Sequence, residues 1–368
     1  MQLETDKSTS RFLIRVYGEA NQGARQGMED KTSVVFENAK EGSLRGPAFF
    51  AVFDGHGGSH AATFARDYLW KAIKKQRGFH SASPPSVVDA IRKGFAETQN
   101  AMWKQRESWP PYKNTDLPST AGTTVTSIIL RDGRIYVAHL GDSAAIMAKK
   151  SPDLPQFQIV RLTQEHKPEF EKERKRIEAL GGIVAHRINY FGGRECRVAW
   201  KRIPKKHRGR VRRSTKIEVV PFLNISRSLG DLWSFEPFHK QFAVSPIPDV
   251  SYHTLDPNHD LFIVLGTDGL WNVLSPEKVI NHIASCCYSN RSTDIVGSMT
   301  ETLINRVLAA CEKKGLRADN VSVIIIYLQA IKSCDNAKQS IRYISNIDAN
   351  QTTLGTISLP SGGRCMMR

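Results

Sequence analysis

Short apolar runs bounded by Gly, Asp and charged residues recur along the chain, and their length is typical of buried β-strands. Asp132-Gly133 separates two of these runs and is a strong signal for a tight hairpin between antiparallel strands. The runs predict strands over residues 11–17, 31–36, 48–53, 124–130, 134–140, 261–266 and 321–328.

Helices are predicted between these blocks of strands. Ala61, Ala65, Leu69 and Ile73 recur at intervals of four residues and mark one apolar helical face. A charged helix is expected to open at Pro168 and to close at Gly181-Gly182. The other predicted helices cover 59–76, a segment beginning at 84–85, 276–285 and 295–311.

This order of elements favours an α+β fold. Because the helices come in pairs and the hairpin favours antiparallel pairing, we expect two packed antiparallel β-sheets flanked by pairs of antiparallel helices, an α-β-β-α sandwich. Residues 1–332 form one predicted domain. From 333 to 368 the pattern gives way to Ser, Asn, Thr and Gly, which predicts a flexible C-terminal tail.

The composition narrows the class of protein. The chain has 368 residues, of which 40% are hydrophobic, as expected for a globular protein. It has no run of 18 apolar residues and no secretory signal, so we expect an intracellular protein without a membrane span. Its six cysteines form no Cys-x-x-Cys pair, and we expect them to be reduced thiols.

Acidic residues stand at the ends of several predicted strands, where they can converge on one edge of a sheet. They are Asp54, Asp142, Asp268, Asp319 and the pair Glu29-Asp30. Carboxylate oxygens without nearby thiolates suit Mg²⁺ or Mn²⁺. Two such ions about 4 Å apart can share a water, lower its pKa and aim it at phosphorus. The pattern therefore predicts a hydrolytic site with two divalent metal ions.

Eight short motifs follow one another along the chain. They are Arg-x-x-Met-Glu-Asp at 25–30, Asp-Gly-His-Gly-Gly at 54–58, Ser-x-x-Gly-Thr-Thr at 119–124, Gly-Asp-Ser at 141–143, Leu-Thr-Gln-Glu-His-Lys-Pro at 162–168, Ser-Arg-Ser-Leu-Gly-Asp at 226–231, Asp-Gly-Leu-Trp at 268–271 and Asp-Asn at 319–320. In this order they resemble the metal-dependent, type 2C (PPM) protein phosphatases, from about residue 11 to residue 328.

The resemblance implies a monomeric enzyme that hydrolyses phosphoserine and phosphothreonine in phosphorylated proteins, with a water between two Mg²⁺ or Mn²⁺ ions attacking phosphorus directly. It implies that Arg25 grips the phosphate as a bidentate fork and that His56 protonates the leaving oxygen. The implied metal-binding groups are Asp54, the carbonyl of Gly55, Asp268, Asp319, and Glu29 and Asp30, the last two directly or through water.

One position departs from the family pattern. Family members usually have Asp where this chain has Asn272, and that Asp helps the residue equivalent to Asp142 to hold a third ion. A neutral amide binds a divalent cation less well than a carboxylate does. We therefore expect Asp142 to contribute to a third metal site that is weak.

A finer resemblance is to the Wip branch of the family, which acts in the DNA-damage response. It implies stress or DNA-damage signalling proteins as substrates and the nucleus, rather than the cytoplasm alone, as the location. The residues that carry it lie at 90–95, 200–202, 211–215, 221–223 and 230–234, together with Asn272. The long proline-rich insertion of vertebrate members is absent, since only residues 37–47 link the strands there.

The net charge of +16 is concentrated in one stretch, which has nine basic and no acidic residues between positions 201 and 216. By the same resemblance, 201–217 is a basic substrate loop and 163–200 a flap. The stretch could clamp a second phosphate or acidic residues of the substrate, or it could be a solvated, mobile loop. It could also be a nuclear import signal, a role that is compatible with the clamp. The candidate substrate-binding residues are Arg25, Lys201, Arg202, Lys205, Lys206, Arg212 and Arg213.

Three other functions fit part of the sequence. Cys311 and Arg317 satisfy the Cys-x₅-Arg pattern of cysteine phosphatases, but Cys311 lies late in a predicted helix rather than at a helix N-terminus. A scaffold that binds phosphoproteins without hydrolysing them would also keep the acidic residues. The neutral Asn272 favours this alternative. A nucleic-acid-binding protein could use the basic stretch, but no aromatic residue lies within it for base stacking, and no specific nucleic acid is expected.

Overall fold

The computed structural model describes residues 12–37, 39–40, 43–44, 46–111, 119–150, 157–188, 193–202, 208–210, 212–215, 218–256, 258–289, 297–330, 342–345 and 352–354. The strands in this part of the chain are β1 (Phe12–Asn21), β2 (Lys31–Phe36), β3 (Ala39–Lys40), β4 (Ser43–Leu44), β5 (Ala48–Phe53), β6 (Gly55–His56), β7 (Gly122–Thr123), β8 (Val125–Arg131), β9 (Arg134–Leu140), β10 (Ala144–Lys150), β11 (Phe157–Arg161), β12 (Ile183–Ile188), β13 (Arg194–Arg202), β14 (Glu218–Leu223), β15 (Leu229–Gly230), β16 (Phe235–Glu236), β17 (Gln241–Phe242), β18 (Asp249–Thr254), β19 (Asp260–Gly266), β20 (Val321–Ala330), β21 (Arg342–Ser345) and β22 (Thr352–Leu354).

The α-helices of the same residues are α1 (His60–Lys75), α2 (Pro84–Lys104), α3 (Glu171–Ala179), α4 (Asp268–Trp271), α5 (Pro276–Ser289) and α6 (Gly297–Lys313). None of these helices combines the length and the apolar character that a bilayer span requires.

Two six-stranded sheets form the centre of the molecule. Their strand orders are β11-β10-β19-β20-β1-β21 and β18-β9-β8-β5-β2-β22. The pairings are antiparallel except at two edges, where β21 runs parallel to β1 and β22 runs parallel to β2. Asp132 and Gly133 join β8 to β9 with φ of 51° and 68°, the positive values that a primed hairpin turn requires.

The sheets are packed face to face and covered by helices on both outer faces. Strand β5 shows why its sequence is apolar throughout. Phe50 and Val52 point into the core between the sheets, whereas Phe49 and Phe53 pack under α1 and α2. On the other side, α5 and α6 cover the first sheet, and Ile283 and other helix residues contact its strands. The predicted α-β-β-α sandwich is confirmed.

A smaller unit, which we call the flap, consists of α3 and the three-stranded sheet β12-β13-β14. Ile177, Val198, Leu223, Ile225 and Val244 form its apolar core. The segment 163–200 supplies α3, β12 and most of β13, and β14 completes the sheet.

Several predicted elements begin or end one to four residues from their observed bounds, the charged helix among them. The charged helix begins at Glu171 rather than at Pro168, because the preceding residues are held by other contacts, such as the bond from the His166 amide to the Gly141 carbonyl (2.8 Å). Most of the tail predicted at 333–368 lies outside the described residues, and within it Arg342–Ser345 and Thr352–Leu354 are strands.

Candidate active site

Three aspartates converge at one end of the two sheets. Asp54 directly follows β5, Asp142 follows β9, and Asp268 is the first residue of α4 after β19. Each can offer a carboxylate oxygen such that the three oxygens lie within 4.8 Å of one another. We call Asp54, Asp142 and Asp268 the carboxylate cluster.

The electrostatics of the carboxylate cluster are unfavourable without a cation. Burial and the charges of Asp142 and Asp319 raise the pKa of Asp268 to about 7. Burial and the charges of Asp268, Asp30 and Asp142 hold the pKa of Asp54 well above its ordinary value. Three hard oxygen donors that repel one another match the ligand preference of Mg²⁺ or Mn²⁺. The cluster therefore fits a divalent cation.

Asp142 is the residue for which the sequence indicated a weak third metal site. The structure brings its carboxylate together with those of Asp54 and Asp268. Asp142 also forms an ion pair with Lys167, which the sequence analysis did not identify as a site residue. The Asn272 amide donates to Asp268 Oδ2 at 3.1 Å, so it contacts a cluster residue directly.

The other predicted acidic residues surround the cluster. Asp30 is 1% exposed, and its Oδ2 accepts bonds from Thr267 (3.0 Å) and Ser322 (2.8 Å). Burial raises the pKa of Asp30 to about 7, although the Ser322 bond opposes this. Glu29 Oε1 accepts a bond from the Gly58 amide at 2.8 Å. These contacts show that both carboxylates are held in place by neighbouring residues.

Arg25 stands on the rim of the site with a side chain that is 54% exposed. Its Nη2 donates to Asp319 Oδ2 at 2.5 Å. The loop that carries Arg25 is tied to the start of β20, since Asn320 donates to the Gln22 and Gly27 carbonyls (2.8 and 3.0 Å) and accepts from the Glu29 amide (2.8 Å).

His56 faces the site from β6, with a side chain that is 24% exposed, and its Nε2 lies 2.7 Å from Asp231 Oδ2. Burial lowers the pKa of His56, but the charge of Asp231 and its hydrogen bond outweigh that effect, so the pKa is raised from its ordinary value. Asp231 is fully buried and belongs to the motif at 226–231, to which the sequence analysis gave no role.

The carboxylate cluster, Arg25, Glu29, His56 and Asp319 line one open cleft with a volume of about 940 Å³. The sandwich contributes Arg25, Asp54, His56, Asp142 and Asp268 to the cleft. The flap and the chain that follows it form another wall. That wall consists of Arg197, Phe222, Leu223, Asn224 and Ile225.

Arg197 is a cationic wall residue that the sequence analysis missed. Its Nε donates to Glu195 at 2.6 Å and its Nη1 donates to the Phe222 carbonyl at 2.7 Å. No local pattern distinguishes it from the many other arginines of the chain. Arg197 lies on β13 opposite Ala185 of β12, and its bond to the Phe222 carbonyl ties it to β14, which also lines the cleft.

The predicted substrate residues of the basic stretch are placed differently. Lys201 and Arg202 end β13, and Lys205 and Lys206 lie outside the described residues. Arg212 and Arg213 are exposed and do not line the cleft.

Cys311 has the surroundings of a core residue. It is 4% exposed on α6 and packs in the apolar cluster between α5, α6 and the first sheet. Arg317 is engaged elsewhere, since its Nε donates to the Ala24 carbonyl at 2.7 Å. The Cys-x₅-Arg pattern therefore does not build a nucleophile site in this fold.

Comparison with known proteins places this geometry in context. A sequence model of the family described as Protein phosphatase 2C matches residues 14–320. The integrin-linked kinase-associated serine/threonine phosphatase 2C of Bos taurus is 29% identical over 328 residues, 86% of this chain and 77% of the relative. Protein phosphatase 2C homolog 2 of Schizosaccharomyces pombe is 30% identical over 312 residues, 83% of this chain and 70% of the relative.

Solved structures show the same fold. A crystal structure of serine-threonine phosphatase 2C from Toxoplasma gondii superposes with a TM-score of 0.65 at 22% identity, covering 85% of this chain and 94% of that one. A sex-determining protein of Caenorhabditis elegans superposes with a TM-score of 0.61 at 21% identity, covering 85% and 64%.

Proposed function

The chain belongs to the protein phosphatase 2C family and is a protein serine/threonine phosphatase, and from this premise we propose how its residues divide the reaction. The observation that carries the proposal is the convergence of the carboxylate cluster, Arg25 and His56 on one cleft.

The carboxylate cluster would hold the divalent ions on which the family depends. We propose two Mg²⁺ or Mn²⁺ ions, with Asp54, Asp268 and the Gly55 carbonyl as ligands and with Asp142 close enough to share in binding. Glu29, Asp30 and Asp319 would act from the surrounding positions. Bound ions would supply Lewis-acid chemistry, lowering the pKa of water and offsetting charge on phosphoryl oxygens.

Arg25 would bind the substrate phosphate. A guanidinium presents a planar fork of donors that matches two phosphate oxygens, and Asp319 orients this fork from one side while half of the side chain stays accessible. The phosphate would thus be held between the Arg25 cation and the cations of the cluster.

His56 would act as general acid. Serine and threonine alkoxides are poor leaving groups, so the oxygen must receive a proton as the P–O bond breaks. The partly exposed ring of His56 borders the cleft beside Asp54, and its bond to Asp231 supports a protonated ring.

The substrates would be phosphorylated signalling proteins of the stress or DNA-damage type, and the nucleus would be the site of action. What supports this finer proposal is the resemblance of 200–202, 211–215 and Asn272 to the Wip branch. The exposed Arg212 and Arg213 would contact a second phosphate or acidic residues of the substrate from outside the cleft.

The test is hydrolysis of a phosphothreonine peptide with Mg²⁺ or Mn²⁺, with and without EDTA, beside an iodoacetate control. We expect phosphate release that EDTA abolishes and iodoacetate leaves unchanged. The substitution Arg212→Ala with Arg213→Ala should raise KM for a doubly phosphorylated peptide and spare a small aryl phosphate. Folded protein that releases no phosphate with either metal would point instead to a scaffold that captures phosphoproteins.

A further inference from the structure

We propose that Asp231 is a positioning residue that fixes the ring of His56, so that Nδ1 is the nitrogen that delivers the proton to the leaving oxygen. The inference rests on the proposed role of His56 as general acid and adds to it a partner and a ring orientation. It is carried by the geometry of the His56–Asp231 pair.

A small three-stranded sheet, β6-β7-β15, builds this pair. Gly122 in the central strand is opposite His56 on one side and Gly230 on the other, so His56 and the following Asp231 meet across it. A Cβ atom at Gly122 would lie 2.3 Å from His56 Nε2 and 2.2 Å from Asp231 Oδ2. Only glycine leaves room for the two side chains to meet.

The carboxylate of Asp231 is fixed before any substrate arrives. Its Oδ1 accepts a bond from the Trp233 indole at 2.7 Å, and its Oδ2 accepts one from the Ser228 hydroxyl at 2.5 Å. The backbone of Asp231 is left-handed, with φ of 44°, and its amide donates to the Ala121 carbonyl at 2.9 Å. Gln99 of α2 bonds both backbone groups of Gly230 at 2.8 Å, which secures the turn from outside.

The ring orientation follows from the chemistry of the acceptor. An ionised carboxylate only accepts hydrogen bonds, so the proton between the two side chains belongs to His56 Nε2. Among the described residues none bonds Nδ1, and the ring lines the cleft. Nδ1 is therefore the nitrogen available to the substrate.

Hydrolysis of a phosphomonoester forms one P–O bond, breaks another and moves one proton from His56 to the leaving oxygen. Water forms the new P–O bond, and the electron pair of the old P–O bond leaves with the serine or threonine oxygen. That oxygen takes the Nδ1 proton and departs as an alcohol. His56 is left neutral with Nε2–H still bonded to Asp231, the proton lost by the water passes to phosphate or solvent, and solvent later restores Nδ1–H.

Asp231→Asn tests the role, because an amide has the same shape but can present either a donor or an acceptor and no longer enforces Nε2–H. Asn also tolerates left-handed backbone, so the turn is retained. The assay compares a phosphothreonine peptide with p-nitrophenyl phosphate, whose leaving group needs no proton. We expect kcat to fall about 10- to 100-fold for the peptide, up to the lower limit of what general acid catalysis contributes, because the ring is still present but no longer fixed. For the aryl ester we expect a loss of less than about 3-fold.

Two further variants separate positioning from structural damage. Trp233→Phe removes one hydrogen bond of the same carboxylate but keeps its charge, which enforces Nε2–H, so the ratio of the two substrates should change far less than in Asp231→Asn. His56→Gln should show the same selective loss as Asp231→Asn, and the double variant should be no slower than His56→Gln alone, because both changes remove one function.

A selective loss in His56→Gln without one in Asp231→Asn would overturn the positioning role and leave the general acid in place. Equal losses on both substrates in His56→Gln would overturn the general acid itself. The ¹⁵N shifts of the neutral His56 ring give a readout independent of turnover. We expect the Nε2–H tautomer in the natural protein and in Trp233→Phe, and a shift toward a mixture in Asp231→Asn; an unchanged tautomer would contradict the proposal.

Discussion

Two groups of buried charges, one at the edge of the two sheets and one that includes helix α3 of the flap, are built in opposite ways. In the carboxylate cluster, like charges are brought together and the pKa of Asp268 is raised to about 7. Beneath the flap, Glu173 is 3% exposed but is flanked by Arg176 and Arg227. Burial raises the pKa of Glu173, but the bond from Arg227 and the charge of Arg176 outweigh it and lower the pKa to about 2.

In the second group, which we call the flap ion network, the negative charges are paired with arginines of the protein itself. Arg227 Nη2 lies 2.5 Å from Glu173 Oε1, and Arg227 Nη1 lies 2.8 Å from Asp249 Oδ1. Arg176 Nη2 reaches Glu173 Oε2 at 2.9 Å. Every one of these carboxylates has a cationic partner, so the network stabilises the junction of flap and sandwich.

The contrast between paired and unpaired carboxylates distinguishes charges that stabilise the fold from charges that serve the active site. A buried carboxylate with its own arginine holds two parts of a fold together, whereas carboxylates that repel one another lower stability until a cation arrives. The cluster keeps one internal cation, Lys167 beside Asp142, and leaves the rest of its charge for ions from solution. The sandwich thus tolerates local repulsion at the edge where chemistry occurs.

The largest expected effect is on turnover when the cluster loses a charge. Asp268→Asn should lower kcat by at least ~100-fold, beyond the loss typical of outer-shell partners of a metal. In EDTA the same variant should melt at a higher temperature than the natural protein, since one repelling charge is gone. Mg²⁺ at 100 times its Kd should add about 2.7 kcal/mol of stability to the natural protein and little to the variant. Thermal melts and steady-state kinetics check both parts; a variant less stable in EDTA would contradict the repulsion.

Breaking the flap ion network should have the opposite signature. Arg227→Met removes the cation but keeps its length, and it should lower the free energy of unfolding by about 3 kcal/mol, the lower end for a broken buried pair, because Arg176 still contacts Glu173. Urea denaturation measures the loss. Stabilisation by Mg²⁺ should persist in this variant, and its disappearance would mean that the two groups are coupled.

The pH dependence of stability should also identify the network. The folded pKa of Glu173, about 2, lies below its ordinary value of 4.5, so its contribution is present above pH 4.5 and is lost as pH falls toward 2. Glu173→Gln should therefore be less stable than the natural protein by on the order of 2 kcal/mol at pH 6, with a gap that narrows below pH 4.5. Melting temperatures between pH 6 and 3 measure the gap, and a constant gap would rule out an ionic origin.

The smallest expected effect comes from adding a carboxylate beside the carboxylate cluster. Asn272→Asp replaces a donor to Asp268 with a repelling carboxylate at an exposed position. Stability in EDTA should fall by less than about 1 kcal/mol, because the new charge is screened by solvent. The Mn²⁺ concentration for half-maximal activity should fall a few-fold. Asn272→Ala is the matched control, because it removes the same bond without adding charge and should not tighten Mn²⁺ binding.

Much of this architecture could be predicted from local sequence. The bounds of β2, β5 and β9 coincide with those of the predicted strands. β5 is the clearest case, because it is buried at every position and its sequence is apolar throughout. The start of α3 could not be predicted in this way. A local pattern shows which residues can be helical, but it does not show that contacts at His166 make the helix begin later in the chain.

The site was predictable where chemistry is carried by residues next to strand ends, such as Asp54 and Asp268. It was not predictable where function depends on pairs that are distant in the chain. Asp231 is 175 positions from His56, and nothing local to either residue indicates that the small sheet unites them. The approach of Asp142 to Asp54 and Asp268 also depends on the sheet edge that unites them, whereas its role at a weak third metal site stays a prediction.

The pairing of β1 with β20 along ten residues has a consequence for how the protein is made. A ribosome that has reached Lys313, the end of α6, has already synthesised the segments that carry Asp54, Asp142 and Asp268. It has not yet added Asp319, which orients Arg25, or Asn320, which ties down the loop that carries Arg25. The nascent chain therefore carries no finished catalytic edge until β20 has been made. A chain that stops at Lys313, before β20, has no Asp319 to orient Arg25 and no Asn320 to hold its loop, so we expect it to be inactive.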